Sequence, residues 1–188
     1  SSRPVQIGLI GLGKWAREAY VPFLKGHPDV NVQAVAARTE TTRRLGLKLF
    51  GPQVNLFNNY TDLLEHSQIE AVMIAVPFNL TTKAATAALM AQKHVFVEPP
   101  FEDGGDTERL FDLAKRNGRI FHADLELRYL PLVTELQGLL ASGRFGGVRF
   151  IRLELESNWA REGHSVEPAL ESTVFSLGPW YIDLLDMF

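Results

Sequence analysis

Apolar residues arrive in short unbroken runs, separated by longer stretches in which they recur every three or four positions. Val5-Gln6-Ile7-Gly8-Leu9-Ile10 and Val30-Asn31-Val32-Gln33-Ala34-Val35-Ala36 are rich in β-branched residues and predict two buried strands. Between them, Lys14 to Lys25 sets Trp15, Ala19, Phe23 and Leu24 at near-helical spacing, with Pro22 expected to bend or divide that helix. The alternation then predicts a helix over Thr41–Phe50, a strand over Val54–Phe57, a helical turn over Thr61–His66 and a strand over Ile69–Val76. An alanine-rich helix over Thr81–Gln92, a strand over His94–Val97, an amphipathic helix over Thr107–Asn117 capped by Gly118, and a strand over Ile120–Ala123 complete the series. Strands alternating with helices predict the α/β class, a parallel sheet with helices on both faces.

After Ala123 the pattern changes. Tyr129 to Ser142 predicts one long helix and Val148 to Glu156 alternates as a half-buried strand. Ser157 to Pro168 reads as a polar loop, and a final helix from near Gly178 carries Tyr181, Leu184 and Leu185. The expected organisation is one domain over residues 1–123 followed by an incomplete α+β domain over residues 124–188. Its apolar end at Met187-Phe188 is expected to be a truncation, because one strand cannot cover its own apolar face.

Composition narrows the partners. With 46% hydrophobic and 22% charged residues the chain falls in the ordinary globular range. A net charge of -3 supplies no broad positive field, which argues against nucleic acid. Cysteine is absent, so disulfides and thiolate metal sites are excluded. No apolar run reaches the length of a membrane span, so no membrane partner is expected. The strand-like run that starts at Val5 leaves no room for a signal peptide, and a cytoplasmic location is the expectation.

Candidate chemistry centres on the first strand-to-helix junction. Gly11-Leu12-Gly13-Lys14-Trp15-Ala16 fits G-x-G-x-x-A directly after a strand and at the opening of a helix. Gly11 permits the tight turn, Gly13 lets the backbone approach a pyrophosphate, and Ala16 permits close helix-to-strand packing. The diphosphate of a dinucleotide would rest on amides at the positive end of the helix. An acidic residue that binds the ribose hydroxyls is expected about 20 residues further on, at the end of the second strand. Ala37 stands there instead, followed by Arg38, Thr39, Arg43 and Arg44. A carboxylate would repel a 2′-phosphate and a guanidinium binds one, so NADP is favoured over NAD. His94 and His122 fall in strand-like runs, and no second histidine or carboxylate lies near them at ligand spacing. No metal site is assigned.

The chain resembles the Gfo/Idh/MocA oxidoreductases, the family of glucose-fructose oxidoreductase and inositol dehydrogenase. The resemblance is carried in order by Gly8-Leu9-Ile10-Gly11-Leu12-Gly13, Tyr60-Thr61-Asp62-Leu63-Leu64 and Ala75-Val76-Pro77-Phe78-Asn79-Leu80. It continues through residues 88–100, which end His94-Val95-Phe96-Val97-Glu98-Pro99-Pro100, then Arg128-Tyr129-Leu130-Pro131 and Ser142-Gly143-Arg144-Phe145-Gly146-Gly147-Val148. It implies a Rossmann domain followed by an α/β domain on a large open sheet, and a homo-oligomer formed through that sheet. It also implies that Ala75, Val76, Pro77, Asn79 and Glu98 join Gly11, Gly13, Lys14, Trp15, Ala37, Arg38, Thr39 and Arg43 in holding the cofactor. A plain strand-end turn is the competing account of Pro77 and Asn79.

Family members usually carry Glu-Lys-Pro after the fifth strand, with the lysine beside the nicotinamide and the substrate hydroxyl. The matching triplet here is Glu98-Pro99-Pro100, in which proline replaces the lysine. The family's catalytic aspartate and histidine match Ser176 and Trp180, while Asp183, a later acidic position of that motif, is kept. A positioned acid or base typically contributes about 10² to 10⁴ in rate, and neither proline nor tryptophan serves as one. Glu126, Tyr129, His164, Glu171, Tyr181 and Asp183 are the protonatable alternatives, each with an ordinary structural role as the competing account. Trp159 and Trp180 are expected to pack in a core or interface. No catalytic residue is assigned. Three readings stay open: a non-catalytic or regulatory NADP-binding homologue, an active oxidoreductase on a sugar, cyclitol or other small carbonyl or hydroxyl compound, and a purely structural role that leaves the glycine turn empty.

Overall fold

The computed structural model describes residues 3–66, 68–154 and 173–188. Six parallel strands form one sheet, β1 (Val5–Ile10), β2 (Val30–Ala36), β3 (Asn55–Phe57), β4 (Ala71–Ile74), β5 (His94–Val97) and β6 (Phe121–Ala123). Their order is β3-β2-β1-β4-β5-β6, so the chain winds outward from β1 in one direction and then in the other. The crossovers therefore part between β1 and β4, which leaves a crevice at the carboxyl ends of those two strands.

The side-chain period of two explains why the sheet is apolar on both faces. Ile10, Ala34, Ala36, Val72, Ile74, Val95 and Val97 join one core, together with Leu63, Leu89, Leu110 and the alanines Ala84, Ala85 and Ala88. Ile7, Leu9, Val32 and Val35 join a second core with Leu12, Ala16, Tyr20, Val21 and Leu24, against which Met73 and Phe96 pack. The first core takes its helical cover from α3 (Tyr60–Leu64), α4 (Phe78–Met90) and α5 (Asp106–Arg116), and the second from α1 (Val21–Leu24) and α2 (Glu40–Phe50). Alternate strand residues thus feed opposite faces, except across Val32 and Ala34 of β2, where the register against β1 shifts and residues two apart part to opposite cores; the result is a sheet covered on both sides.

Three local outcomes refine the expectations. Pro22 does divide the first helix: helical backbone starts at residue 14, a π-helical turn runs over Ala16–Tyr20, and α1 follows with Pro22 in its first turn. Proline donates no backbone hydrogen bond and crowds the carbonyl four residues back, so the preceding turn widens and the Val21 amide reaches the Ala16 carbonyl. The predicted strand Ile69–Val76 shortens to β4, because α4 starts at Phe78 and the chain must turn first. Gly118 has φ +62°, as its capping position requires.

The chain divides into two compact units, Ser1–Asp124 and Leu125–Phe188. The second consists, among the described residues, of a 3-10 turn (Glu126–Tyr129), α6 (Pro131–Ala141) and α7 (Thr173–Asp186). The long helix predicted from Tyr129 is broken because Pro131 forces Leu130 into an extended conformation, ψ 135°, and then opens α6 at a position where its missing N–H costs nothing. The final helix starts at Thr173 rather than near Gly178 and carries Pro179 inside it. Arg128 pairs with Asp183 and the Trp180 indole donates to Glu126, contacts that anchor the helix beyond that proline. The strand predicted over Val148–Glu156 is not formed within its described part, residues 148–154. No second strand is available to pair with it among the described residues of this unit, and Phe150 is left 80% exposed. The predicted loop Ser157–Pro168 lies outside the described residues.

Candidate dinucleotide site

One row of backbone hydrogen bonds builds the site. Beyond the last residue of each strand, the next amide reaches sideways to the neighbouring strand: Ala37 to Phe57 at 3.1 Å, Gly11 to Ala36 at 3.0 Å, Ala75 to Ile10 at 2.9 Å, Glu98 to Ile74 at 3.1 Å and Asp124 to Val97 at 2.8 Å. Ala37, Gly11, Ala75, Glu98 and Asp124 therefore stand side by side along the carboxyl edge of the sheet, with adjacent members about 4.8 Å apart.

Gly11 has φ +91°, and a Cβ there would sit 2.1 Å from the Ala75 carbonyl oxygen. No L side chain fits that turn. Gly13 is the opposite case: a Cβ would meet nothing within 4 Å, so the backbone is bare toward solvent. Ala16 is 1% exposed, which meets the need for close packing at the third position of the motif. The guanidinium of Arg17 donates back to the Gly13 carbonyl at 3.1 Å, which braces the turn. These features fit a diphosphate held on helix-start amides: the turn is shut on its protein side and open on the other.

A cleft runs from this turn toward β2. Gly11, Ala37, Arg38, Thr39, Ala75, Val76 and Pro77 of the expected set line it, joined by Thr42, Asn58, Asn59, Tyr60 and Leu80, which the sequence reasoning missed. Their signal was the polar run Asn58-Asn59-Tyr60 after β3, the strand beside β2. Thr39 caps α2, its Oγ1 accepting from the Thr42 amide at 3.2 Å. Arg43 braces the loop: its Nη1 donates to the carbonyls of Ala37 at 2.7 Å and Arg38 at 2.8 Å. Arg44 pairs with Glu40 at 2.5 Å. The Arg38 side chain, unlike those of Arg43 and Arg44, has no hydrogen-bond or ion-pair partner among the described residues. Lys14 and Asn79 are exposed and do not line the cleft.

Glu98 lies on the other side of the glycine turn, also off the cleft. One oxygen, Oε1, accepts from both the Trp15 indole and the Tyr20 hydroxyl. The widened turn helps here, because it shifts residues five apart toward one side of the helix. The Tyr20 ring is set edge-on against Phe96 at 5.6 Å, and His122 stacks on Phe96 at 5.3 Å. Asp124, 8% exposed, lies within hydrogen-bonding reach of Glu98. Burial pushes Glu98 up to about 8; the Tyr20 and Trp15 donors oppose that shift and the nearby Asp124 charge adds to it. Burial also raises Asp124, against the Glu98 hydrogen bond and the His122 charge. Burial, with the neighbouring Glu98 charge, raises Tyr20 as well. The sequence offered Glu98 but gave no sign of Tyr20 or Asp124 as its partners.

Pro99, at the family's lysine position, is buried, and the Pro99–Pro100 peptide is cis. Trp180 and Asp183 are engaged with Glu126 and Arg128 inside the second unit, and Tyr129 is 64% exposed. Ser176 falls within α7, and Trp159, His164 and Glu171 lie outside the described residues. Among the described residues no group of three His, Asp or Glu is arranged to hold a metal ion, and no helix is long and apolar enough to cross a membrane.

Strand order, glycine turn and open helix start together define a doubly wound dinucleotide-binding domain. Residues 5–125 match the family model described as oxidoreductase family, NAD-binding Rossmann fold, and the chain belongs to this Gfo/Idh/MocA family. An uncharacterized oxidoreductase of Rhizobium meliloti is 32% identical over 79% of this chain and 44% of its own length. A dTDP-3,4-didehydro-2,6-dideoxy-alpha-D-glucose 3-reductase of Streptomyces violaceoruber is 30% identical over 78% of this chain and 43% of its own. Among solved structures, KijD10, a 3-ketoreductase from Actinomadura kijaniata in complex with NADP, superposes with TM-score 0.70 at 28% identity, covering 78% of this chain and 46% of that one. The chain thus spans less than half the length of these relatives.

Proposed function

We propose that the first unit binds NADP(H), and that this chain does not carry out the family's usual lysine- and histidine-assisted chemistry. The observation that carries the binding reading is the contrast between the two glycines, one jammed against Ala75 and the other bare to solvent. Arg38 supports the 2′-phosphate form, since it stands beside Ala37, where NAD-preferring sites of this class place a carboxylate. A guanidinium-to-phosphate contact contributes roughly 1.5 to 3 kcal/mol, enough to set the preference. NADP is also the cofactor present with KijD10. When bound, the reduced cofactor supplies a hydride; the residues of this chain hold its diphosphate on the helix start and its adenosine phosphate on Arg38.

The non-catalytic half of the reading rests on Pro99 and Trp180 standing at family proton-handling positions, and on Asp183 and Trp180 being tied into the second unit. A thermal-shift titration tests the binding: NADPH raises the unfolding temperature at saturation and NADH does so less, because a ligand of the folded state must stabilise it. No shift with either overturns the binding reading. Screening the reduced-nicotinamide absorbance against sugars, inositols, aldehydes and keto-sugar nucleotides tests the rest. Turnover that survives repurification and is lost on changing Tyr181 overturns the non-catalytic half. It favours instead a reductase acting on a small carbonyl compound, the reading to which the 30% identical 3-reductase lends support.

A further inference from the structure

The cleft beside the glycine turn carries polar groups at its far end as well. Gly11, Ala37 and Asn58 follow the last residues of three neighbouring strands, since the Gly11 amide reaches Ala36 and the Ala37 amide reaches Phe57. Asn58 therefore stands two strand spacings from Gly11, about 10 Å away, on the side of Arg38. A dinucleotide whose diphosphate rests on the glycine turn, and whose adenosine phosphate is held by Arg38, brings its base to this end of the cleft. The walls there are apolar. Tyr60 opens α3 half-buried against the first core, Val76 packs on the same core, and Leu80 lies in the first turn of α4. Such walls suit the flat faces of an aromatic ring but do not distinguish one ring edge from another.

Recognition of an edge needs a polar side chain that the fold itself does not use. Asn59 is committed to the start of α3: its Oδ1 accepts from the Thr61 hydroxyl at 2.6 Å and the Asp62 amide at 2.9 Å, and its Nδ2 donates to Asp62 at 2.9 Å. The hydroxyls of Thr39 and Thr42 are bonded to each other at 2.8 Å. Asn58 lines the same cleft, and its carboxamide has no hydrogen-bond partner among the described residues. The backbone gives no reason for an asparagine there either, because Asn58 precedes the cap of α3 and its φ is not positive. A carboxamide sets one acceptor beside one amino donor, the complement of the 6-amino group and N7 of adenine. A 6-oxopurine presents two acceptors on that edge, so only one of the two bonds forms. We propose that Asn58 reads the purine edge of the bound dinucleotide, accepting from the 6-amino group and donating to N7, and so makes the site selective for adenine over 6-oxopurines.

This inference rests on the dinucleotide reading and adds base selectivity to it. Asn58 is exposed, so its two bonds compete with water and the preference falls in the lower part of the range that a two-bond amide-to-adenine pair gives in a nucleic-acid groove. Titration calorimetry of the full chain with NADPH and with its hypoxanthine analogue, which differs only at the 6-position and the adjoining N1, reads that preference directly. NADPH binds about five- to thirtyfold more tightly than the analogue.

Asn58→Ala removes both polar atoms without breaking a side-chain bond within the described chain, so its melting transition is unchanged. Its Kd for the analogue rises by no more than about fivefold, that for NADPH rises further, and the difference between the two vanishes. If Asn58→Ala fails to fold, Asn58→Leu, similar in shape and also without polar side-chain atoms, carries the same comparison. Equal binding of the two dinucleotides by the unaltered chain overturns the role of Asn58 and leaves the dinucleotide reading standing, as does a preference that survives the loss of the carboxamide. Absence of binding by either dinucleotide overturns both.

Discussion

Substituting alanine at each of the two motif glycines separates a fold requirement from a ligand requirement, because the structure gives them opposite surroundings. At Gly11 the φ of +91° and a Cβ placed 2.1 Å from the Ala75 carbonyl oxygen act together. The left-handed backbone costs about 1 to 2 kcal/mol for an L residue, and forcing β1 away from β4 adds about 1 to 3 kcal/mol as overpacking does. Gly11→Ala therefore loses about 2 to 5 kcal/mol, which lowers the melting temperature by roughly 5 to 15 °C for a chain of this size. At Gly13 the Cβ meets nothing, so the cost is limited to a poorer residue at the helix start, under about 1 kcal/mol. That methyl group nevertheless occupies the ground on which a diphosphate would settle. Losing one charge-assisted hydrogen bond of about 1.5 to 3 kcal/mol weakens NADPH roughly ten- to hundredfold. Differential scanning fluorimetry without ligand, followed by calorimetric titration with NADPH, measures the two quantities separately. Gly13→Ala that melts as early as Gly11→Ala, or that binds NADPH as tightly as the unaltered chain, refutes the assignment of that bare backbone to a phosphate.

Arg38→Ala weakens NADPH by about ten- to hundredfold and NADH by less than threefold, as loss of one guanidinium-to-phosphate contact requires; equal losses remove the case for the 2′-phosphate. Arg43→Ala weakens both cofactors alike, because its donors hold the Ala37 and Arg38 carbonyls rather than a ligand, and a change confined to NADPH contradicts that placement. Stability also reports on the acidic pair. Glu98 titrates higher in the folded chain, about 8, than in the unfolded one, so the folded state binds more protons between about pH 4.5 and about pH 8 and its stability falls as pH rises through that window. Urea unfolding shows a slope of at most about 1.4 kcal/mol per pH unit from Glu98, and Glu98→Gln removes it; a slope of the other sign rejects the buried, protonated carboxyl. Asp183→Ala strips Arg128 of its half-buried partner and costs about 1 to 3 kcal/mol in the second unit, visible as an earlier loss of helical circular dichroism.

The parts of this molecule that were legible in the sequence are those whose cause is local. Alternating periods identify every strand of the sheet, and Gly11 and Pro22 declare their turns because no other residue type satisfies the same backbone demand. Boundaries were less legible wherever a proline acts on its neighbours: Pro131 cuts the helix predicted from Tyr129, whereas the helix expected from near Gly178 starts at Thr173 and carries Pro179 inside it. The strand expected at Val148 shows the limit of pattern reading. Alternation states only that one face would be apolar, and a strand forms when a second edge satisfies its amides. At the cleft, Arg38 and Arg43 were indistinguishable by type, and only the carbonyls facing Arg43 separate a brace from a free cation.

Glu98 illustrates a cause that is wholly non-local. Its donors lie 83 and 78 residues away in sequence, and Asp124 joins only because β6 happens to be the strand that pairs with β5. Placing these groups on a common edge gives the sheet a polarity that no segment carries alone. At β2 stands the guanidinium of Arg38, without a partner among the described residues, at β1 an uncharged bare backbone, and at β5 and β6 two neighbouring carboxyls. On the proposed reading, a dinucleotide with a phosphate on its adenosine end and a ring that turns cationic on oxidation would match this edge in one direction only. Reversing it sets phosphate against carboxylate and cation against guanidinium, two like-charge contacts in a partly desolvated crevice. On the proposed reading, orientation would be set by repulsion at both ends as much as by attraction, and neutralising Arg38 and Glu98 together would loosen it more than the two single changes add up to.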